Sequence, residues 1–516
     1  MTEKSVKSIS EIASFCKENG LIYPNSSIYG GLAGFWDYGP VGCEIKNNIK
    51  NDWWKTFVHK REDVVGIDGT TITHPSVWKA SGHIDCFTDP LIDCKKCNTR
   101  IRGDHLIEDT LKIPADNLSL KEITELIKKK NIKCPNCKTG ELTNPRNYNL
   151  MFSTEVGAIK DDNSTAYLRP ETAQVIFADF KLVQKSARMQ LPFGIAQMGK
   201  AYRNEISPRD FIFRSREFEQ MEIEYFVHPD KINDCPNMTN EIKKFKIQII
   251  TAQTQEKGDS NHIETTIGDL LKKKIIKSEW HAYWLYQMYK WFLELDMKYE
   301  NIRLREHMKA ELSHYSEGTF DIEYRFPFGW KEIHGMADRG CFDLTQHNKY
   351  STEDLTYFDQ ESNKKIIPYV AAEPSQGLDR AFLAFIIDAY TKEKDRFVLK
   401  LHPKLAPVQV AILPLMKKDG MKEKARDLFN ILKEDFTCLF DDKGSIGRRY
   451  SRVDEIGGLY SITIDYDTLK DNTVTVRDRD TTEQIRINID QLENALHNLI
   501  KRKNKLTEFG KVMGKG

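Results

Sequence analysis

The sequence predicts an α+β protein of two to four domains that closes with a compact α/β unit, and three observations carry that expectation. The chain has 516 residues, more than one hydrophobic core normally serves. Strand-like patterns over 165–228 and 319–345 flank a lysine-rich stretch over 229–318 that reads as mostly helical. Beyond residue 399, short apolar runs alternate with amphipathic helical segments.

The elements follow in order. A glycine-rich run (GGLAGFWDYGPVG) leads into a helix on which Val41, Ile45, Ile49, Trp53 and Phe57 recur at about helical spacing. DVVGIDGTTITHPSVWKASGH then reads as an extended segment with a turn at Pro75. Between 85 and 164 the composition shifts to paired cysteines, a lysine-rich helix near 120–130 and turn residues, the mark of an insertion. Residues 1–84, 165–228 and 319–398 therefore form one discontinuous domain, with 229–318 a second, helical insertion. Within it Trp284, Met288, Trp291, Phe292 and Leu295 make an apolar stripe, read as core rather than a binding face. The span 399–516 supplies VQVAILPL, helices around KEKARDLFNILKE and GRRYSRVDEIG, SITI, two short strands and a last helix.

Bulk properties narrow the function classes. Hydrophobic residues make up 40% and charged residues 30% of the chain, with net charge +1 and mean hydropathy −0.55. No run of about 18 apolar residues offers a membrane span. MTEKSVKSISEIASFCKENG lacks an apolar leader core, so no secretory or transit peptide is expected. Ten cysteines in this length, four of them in C-x-x-C pairs, favour a reducing, cytoplasmic setting over a disulfide scaffold. A near-neutral chain must meet nucleic acid through local patches, because it has no global positive field. The 401–516 span, with 21 basic and 18 acidic residues, is only mildly basic.

The chemistry concentrates in Arg203–Glu222 (RNEISPRDFIFRSREFEQME). Arg214, Phe218 and Glu222 are spaced by even steps, so on a strand they share one face. Such a hairpin can hold an attacked phosphate and its leaving phosphates with two arginines, and stack a base on the ring. Its carboxylate can then reach a neighbouring substrate. A surface hairpin of self-satisfying salt bridges has the same composition. Glu373-Pro-Ser-Gln-Gly377-Leu-Asp-Arg380 adds a glycine turn for close ligand approach and an arginine fork at a helix start. Tyr167-Leu-Arg-Pro-Glu171-Thr-Ala-Gln174 places a carboxylate and an amide at a strand-to-helix turn, a pattern that also signals a plain helix start. Glu332, in a further strand, can coordinate Mg²⁺ on phosphates or simply be paired. Gly194-Ile-Ala-Gln-Met-Gly199-Lys200-Ala201 nearly matches a P-loop, but Ala201 stands where a hydroxyl is needed and no helical pattern follows. It reads as a strand entering the arginine hairpin. Cys94-x-x-Cys97 and Cys134-x-x-Cys137, 36 residues apart, suit a structural Zn²⁺ held by four thiolates, with a degenerate or disulfide-linked pair as the alternative.

Together GGLAGFWDYGPVG, RPETAQ, YRNEISPR, REFEQMEIEYF, EPSQGLDR and LHPKLAPVQVAILPL span nearly the whole chain. This set resembles the homodimeric glycyl-tRNA synthetases, a family of class II aminoacyl-tRNA synthetases. The resemblance implies an antiparallel catalytic sheet of six to seven strands with flanking helices and insertions, an α/β anticodon-binding domain over 399–516, and a dimer. It implies glycine, ATP with Mg²⁺, and tRNA(Gly) as partners. By the same resemblance Arg203 holds the α-phosphate and Glu205 the adenine side. Arg214 and Arg380 grip the γ-phosphate, Phe218 stacks on adenine, and Glu332 contacts metal or ATP. Asn204, Ser215, Ile333 and Gly377 complete the ATP site. Glu171, Glu222, Glu373, Ser375 and Gly377 are assigned to glycine. Arg102 joins them through RGDH, whose Gly103 departs from the family's R-A-D-H. Three other readings remain at this level: a synthetase for another small amino acid, a non-catalytic nucleic-acid-binding relative, and an adenylate-forming enzyme without tRNA.

Overall fold

In the computed structural model, residues 8–515 are described apart from 114, 116–117, 160–163, 313–315 and 394–395. A nine-stranded sheet organises the body. In chain order its strands are β1 (Val64–Ile67), β2 (Phe193–Tyr202), β3 (Glu217–Val227), β4 (Lys246–Ile250), β5 (Ile263–Thr266), β6 (Ile302–Glu306), β7 (Gly318–Phe326), β8 (Gly329–Asp338) and β9 (Tyr369–Gly377). They lie in the order β5-β4-β6-β7-β8-β9-β3-β2-β1. Helices α1 (Pro40–Trp54), α2 (Ala173–Ser186), α3 (Glu279–Glu294), α4 (Phe342–Ser351) and α5 (Leu378–Ala389) accompany the sheet.

The sheet corrects two expectations. Six of its strands, β1–β3 and β7–β9, come from the discontinuous domain, within the six to seven expected, but the sheet is mixed: β1 runs parallel to β2, and β4 parallel to β6. The lysine-rich 229–318 stretch is not simply helical, because β4, β5 and β6 extend the main sheet. Ile247 and Ile249 on β4, and Ile302 and Leu304 on β6, are fully buried at period two. Their runs are short, and the lysines beside them mask the alternation. The stripe on α3 is core as expected, with Trp284, Met288 and Phe292 inaccessible and Trp291 and Leu295 nearly so. Pro75 does not make a simple turn. It opens a short helix (Pro75–Ala80) at its first position, capped by the His74 imidazole accepting from the Ser76 amide.

The near-P-loop stretch is strand β2, antiparallel to β3 over its whole length. Gly199 is bare there for a packing reason: a Cβ would lie 2.0 Å from the guanidinium of Arg169. That buried arginine crosses the strand and donates to the carbonyls of Lys200 (2.7 Å) and Gly69 (2.8 Å). It ties the segment before Glu171 to the sheet.

The C-terminal unit has its own core. Strands β10 (Val410–Pro414), β11 (Cys438–Phe440), β12 (Tyr460–Ile464), β13 (Thr473–Asp478), β14 (Glu483–Asn488) and β15 (Lys511–Lys515) are ordered β11-β10-β12-β13-β14-β15. Helices α6 (Met421–Leu432), α7 (Ile446–Glu455) and α8 (Ile489–Ile500) complete the unit. Every expected element is present; strand β15, beyond the last helix, is additional.

Candidate active site

One open cavity gathers most of the residues singled out by sequence. Arg203, Glu205, Arg214, Ser215, Phe218, Glu332, Gly377 and Arg380 line it, together with Glu171, Glu222, Glu373 and Ser375. The two sets arrive on different elements. β3 presents Phe218, Gln220 and Glu222 on one face, as its period of two requires. Register places Glu222 opposite Ser375 on β9, so the hairpin and the EPSQG segment form one floor.

The carboxylates are locked. Glu171 accepts from Gln174 Nε2 (3.0 Å), and His83 Nε2 lies 3.3 Å away. Burial would raise the Glu171 carboxyl, but His83, then Arg339 and Gln174, outweigh it and hold it well below the usual carboxylate range. The Thr172 hydroxyl donates to Glu222. Burial, then the Glu171 charge, push Glu222 upward. Glu373 accepts from Arg339 Nη1 at 2.7 Å, while Nε and Nη2 of that guanidinium donate to Asp343 at 2.7 and 2.9 Å. Gln174 Nε2 also reaches Asp343 Oδ1 at 3.0 Å, and its carbonyl takes a bond from His347 (2.8 Å). Each group is thus held by at least one neighbour that is itself held.

The arginines are held more loosely. Arg203 lies 5.3 Å from the ring centres of both Phe87 and Phe218 and donates to the Pro170 carbonyl at 3.0 Å. Arg214 donates to His105 Nε2 at 2.9 Å. Burial, then the Arg214 charge, push that imidazole down to about 2, so it is a neutral acceptor. Arg380, expected beside Arg214 at a γ-phosphate, lies over the Phe213 ring and pairs with Glu332 at 2.7 Å. Partial desolvation in the cavity would raise the Glu332 carboxyl, but that pairing outweighs it and holds it below its ordinary value. Gly377 makes the expected tight passage from strand to helix, but with φ −71° and only ordinary contacts between a Cβ there and Arg380, the protein's own backbone and packing do not require glycine.

Three predicted residues lie elsewhere. Arg102 does not line the cavity; its guanidinium pairs with Asp89 (2.8 Å) and Asp104 (2.7 Å). Asn204 donates its backbone amide to the Leu150 carbonyl and is not in the lining. The Ile333 side chain is fully buried in the main core. Sequence reasoning also missed residues that the site uses. Arg339 stands in MADRG, read only as a strand end; Thr172 and His105 lie inside RPETAQ and RGDH but were given no role, and His83 carried no pattern. Glu224 had a signal: period two puts it on the face of Glu222.

The cysteine knuckles meet. Sγ of Cys94 is 3.7 Å from that of Cys137, and Sγ of Cys97 is 3.6 Å from that of Cys134. All four sulfurs fall within 4.8 Å of one another. A tetrahedron with Zn–S of about 2.3 Å has edges of about 3.8 Å, so the set fits a zinc ion. Gly140 clears the space: a Cβ there would sit 2.3 Å from the Cys94 sulfur. The Thr99 hydroxyl and amide draw the Cys97 thiol down to about 6.

Comparisons with known proteins place the chain in a family. Residues 152–398 match the family described as tRNA synthetase class II core domain (G, H, P, S and T), and residues 409–499 match the anticodon binding domain. The chain is 47% identical to a Clostridium kluyveri protein named Glycine--tRNA ligase, over 95% of this chain and 98% of that one. It is 46% identical to one of the same name from Ruminiclostridium cellulolyticum, with the same coverage of both chains. Among solved structures it resembles the Cryptosporidium parvum prolyl-tRNA synthetase complexed with L-proline and AMP. The TM-score is 0.54 and the identity 15%, covering 95% of this chain and 74% of that one, a likeness of fold.

Proposed function

The chain belongs to the glycine--tRNA ligases of class II, and from that premise we propose how its cavity joins glycine to tRNA. The overall reaction attaches glycine to its cognate tRNA at the expense of ATP, through a glycyl-adenylate. The observation that carries the assignment of roles is the convergence of Glu171, Glu222 and Glu373 beside Arg203, Arg214 and Arg380 in one cavity.

Glycine has no side chain to recognise, so its ammonium is the handle, and the three carboxylates with Ser375 receive it. Attraction would discriminate alanine by only about 1–3 kcal/mol per methylene; exclusion does the rest. Walls held by Arg339, Gln174 and Thr172 resist yielding to a methyl group. Arg203 takes the α-phosphate, Arg214 and Arg380 the outer phosphates, and Phe218 the adenine. Glu332, whose side chain is 44% exposed at the cavity, would supply an oxygen to Mg²⁺ bound with ATP, which neutralises phosphate charge. The glycine carboxylate oxygen attacks the α-phosphorus, the bond to the bridging oxygen breaks, and pyrophosphate leaves. Positioning and charge neutralisation supply the rate, with no protein nucleophile. The terminal ribose hydroxyl of tRNA, its 3′-OH by class, then attacks the carbonyl and releases AMP, losing its proton.

Cys94, Cys97, Cys134 and Cys137 hold a structural zinc that closes the 85–164 insertion; four thiolates leave no open position for catalysis. Thiols kept for metal support a cytoplasmic, reducing location. Among the described residues, no helix is long and apolar enough to cross a membrane. A homodimer is expected from the resemblance to the homodimeric family, and sedimentation of the purified protein checks it.

Amino-acid-dependent exchange of pyrophosphate into ATP, run over all twenty amino acids without tRNA, tests the central reading. Exchange with glycine alone is expected. Exchange with another amino acid moves the specificity, and none at all from folded protein removes the adenylate step. One zinc per chain by elemental analysis, lost in C134S, is the matching result for the metal.

A further inference from the structure

Behind the cavity floor lies a carboxyl that the proposed reaction does not use. Glu224 is fully buried, and neither of its oxygens has a hydrogen-bond partner. It does not line the cavity. The register that sets Glu222 against Ser375 and Tyr225 against Ala372 puts Glu224 directly across from Glu373 on the neighbouring strand. Carboxyl oxygens of Glu222, Glu224 and Glu373 come within 4.8 Å of one another. On the other side Glu224 faces Ile195 of β2, which is apolar and inaccessible.

Two carboxylates directly opposite each other on a sheet repel, and in a dry interior they do not both ionise. Charged groups reach this point from three places: Glu222 on the same strand, Glu373 on β9, and Arg339 with Asp343 at the β8–α4 turn. Arg339 is the one cation among them, and it is committed to Glu373 and Asp343. The pair titrates as a unit, and the arginine decides where its charge resides.

We propose that Glu224 is carried as a neutral carboxylic acid that donates its proton to the Glu373 carboxylate. Glu224 is thereby a positioning residue for the ammonium site: it aims Glu373 without adding charge of its own. This rests on the reading of Glu373 as a glycine ligand. Burial, then the Glu373 charge, push the Glu224 carboxyl well above the ordinary range, in keeping with this assignment. The arrangement also answers a problem of design. A pocket for one ammonium gains from nearby negative charge but cannot hold four adjacent carboxylates against a single arginine, and a proton on the rearmost acid relieves the excess.

Infrared spectra of the full-length enzyme without substrates, wild type minus E224Q at neutral pH, test the proton directly. A carboxylic-acid carbonyl band present in wild type and missing from E224Q is expected. Its absence from the difference spectrum means that Glu224 is ionised and overturns the proposal. Kinetics then test the role. E224L, which removes the Glu224 donor and leaves Glu373 with Arg339 alone, should raise the glycine KM about tenfold with the ATP KM unmoved. E224Q, which keeps a donor, should recover most of that loss. Equal losses in both variants, or a loss shared with ATP, would overturn the positioning role. Failure of E222Q to affect glycine at all would remove the underlying site assignment while leaving the infrared result standing.

Discussion

Glu171, Glu222 and Glu373 differ from Arg203, Arg214 and Arg380 in how far the fold has already satisfied them. The acids are almost wholly buried, and each is held by a partner that is itself held, through Arg339, Gln174, Thr172 and His83. Side chains of Arg214 and Arg380 remain about a quarter exposed, at 23% and 25%, and rest on partners that a ligand can displace, chiefly His105 with Glu205 for the first and Glu332 with Phe213 for the second. On the proposed roles, the difference follows from the ligands. Glycine brings only an ammonium and a carboxylate, so selectivity must come from walls that do not move. ATP brings several negative charges and can displace a placeholder, so its arginines need only stand ready.

The largest effect that would break this comparison is on the arginine side. R203A should reduce glycine-dependent pyrophosphate exchange by about 10²–10³-fold, with tRNA binding measured by filter retention largely intact. Parallel loss of both would mean that the hairpin is structural. Next is the acid side's dependence on the buried cation Arg339. R339Q strands Glu373 and Asp343 and should cost about 3–5 kcal/mol in urea denaturation. A cost below about 1 kcal/mol would show that the walls are not held as described. The smallest effect sharpens the contrast through pH. Glu222, raised by burial and by Glu171, takes up its proton at a higher pH than an ordinary glutamate, and the neutral acid no longer attracts an ammonium. The glycine KM should therefore rise several-fold as pH falls from about 7 to 5, while the ATP KM stays level because the arginines keep their charge. Glu171 acts on stability with the usual sign for a depressed acid. Its contribution, complete above the unfolded carboxyl value of about 4, is lost as the pH falls below it.

Much of the cavity was legible because local spacing carries it. Phe218 and Glu222 share a strand face by period alone, and Glu171 follows a strand-to-helix turn that proline announces. Arg339 was not legible: its partners Asp343 and Glu373 lie 4 and 34 residues away, and only the packing of β8 and α4 against β9 joins them. Arg102 lies outside the cavity lining because its guanidinium is engaged by Asp104, two residues on in RGDH, and by Asp89, which no local pattern joins to it. The lysine-rich 229–318 stretch hid its strands because pairs such as β4 with β6 form across about fifty residues.

By itself the sequence determined the α+β class, the order of elements in the C-terminal unit, the residue types of the cavity and the four cysteines that meet. All of these rest on periodicity, turn chemistry or motif, which act over a few residues. Tertiary structure alone decided the nine-strand order, the commitment of Arg339 and the placing of Glu224 across from Glu373. Strand register and burial are properties of distant segments brought together, and the protonation of a buried acid depends on every charge that the fold sets beside it.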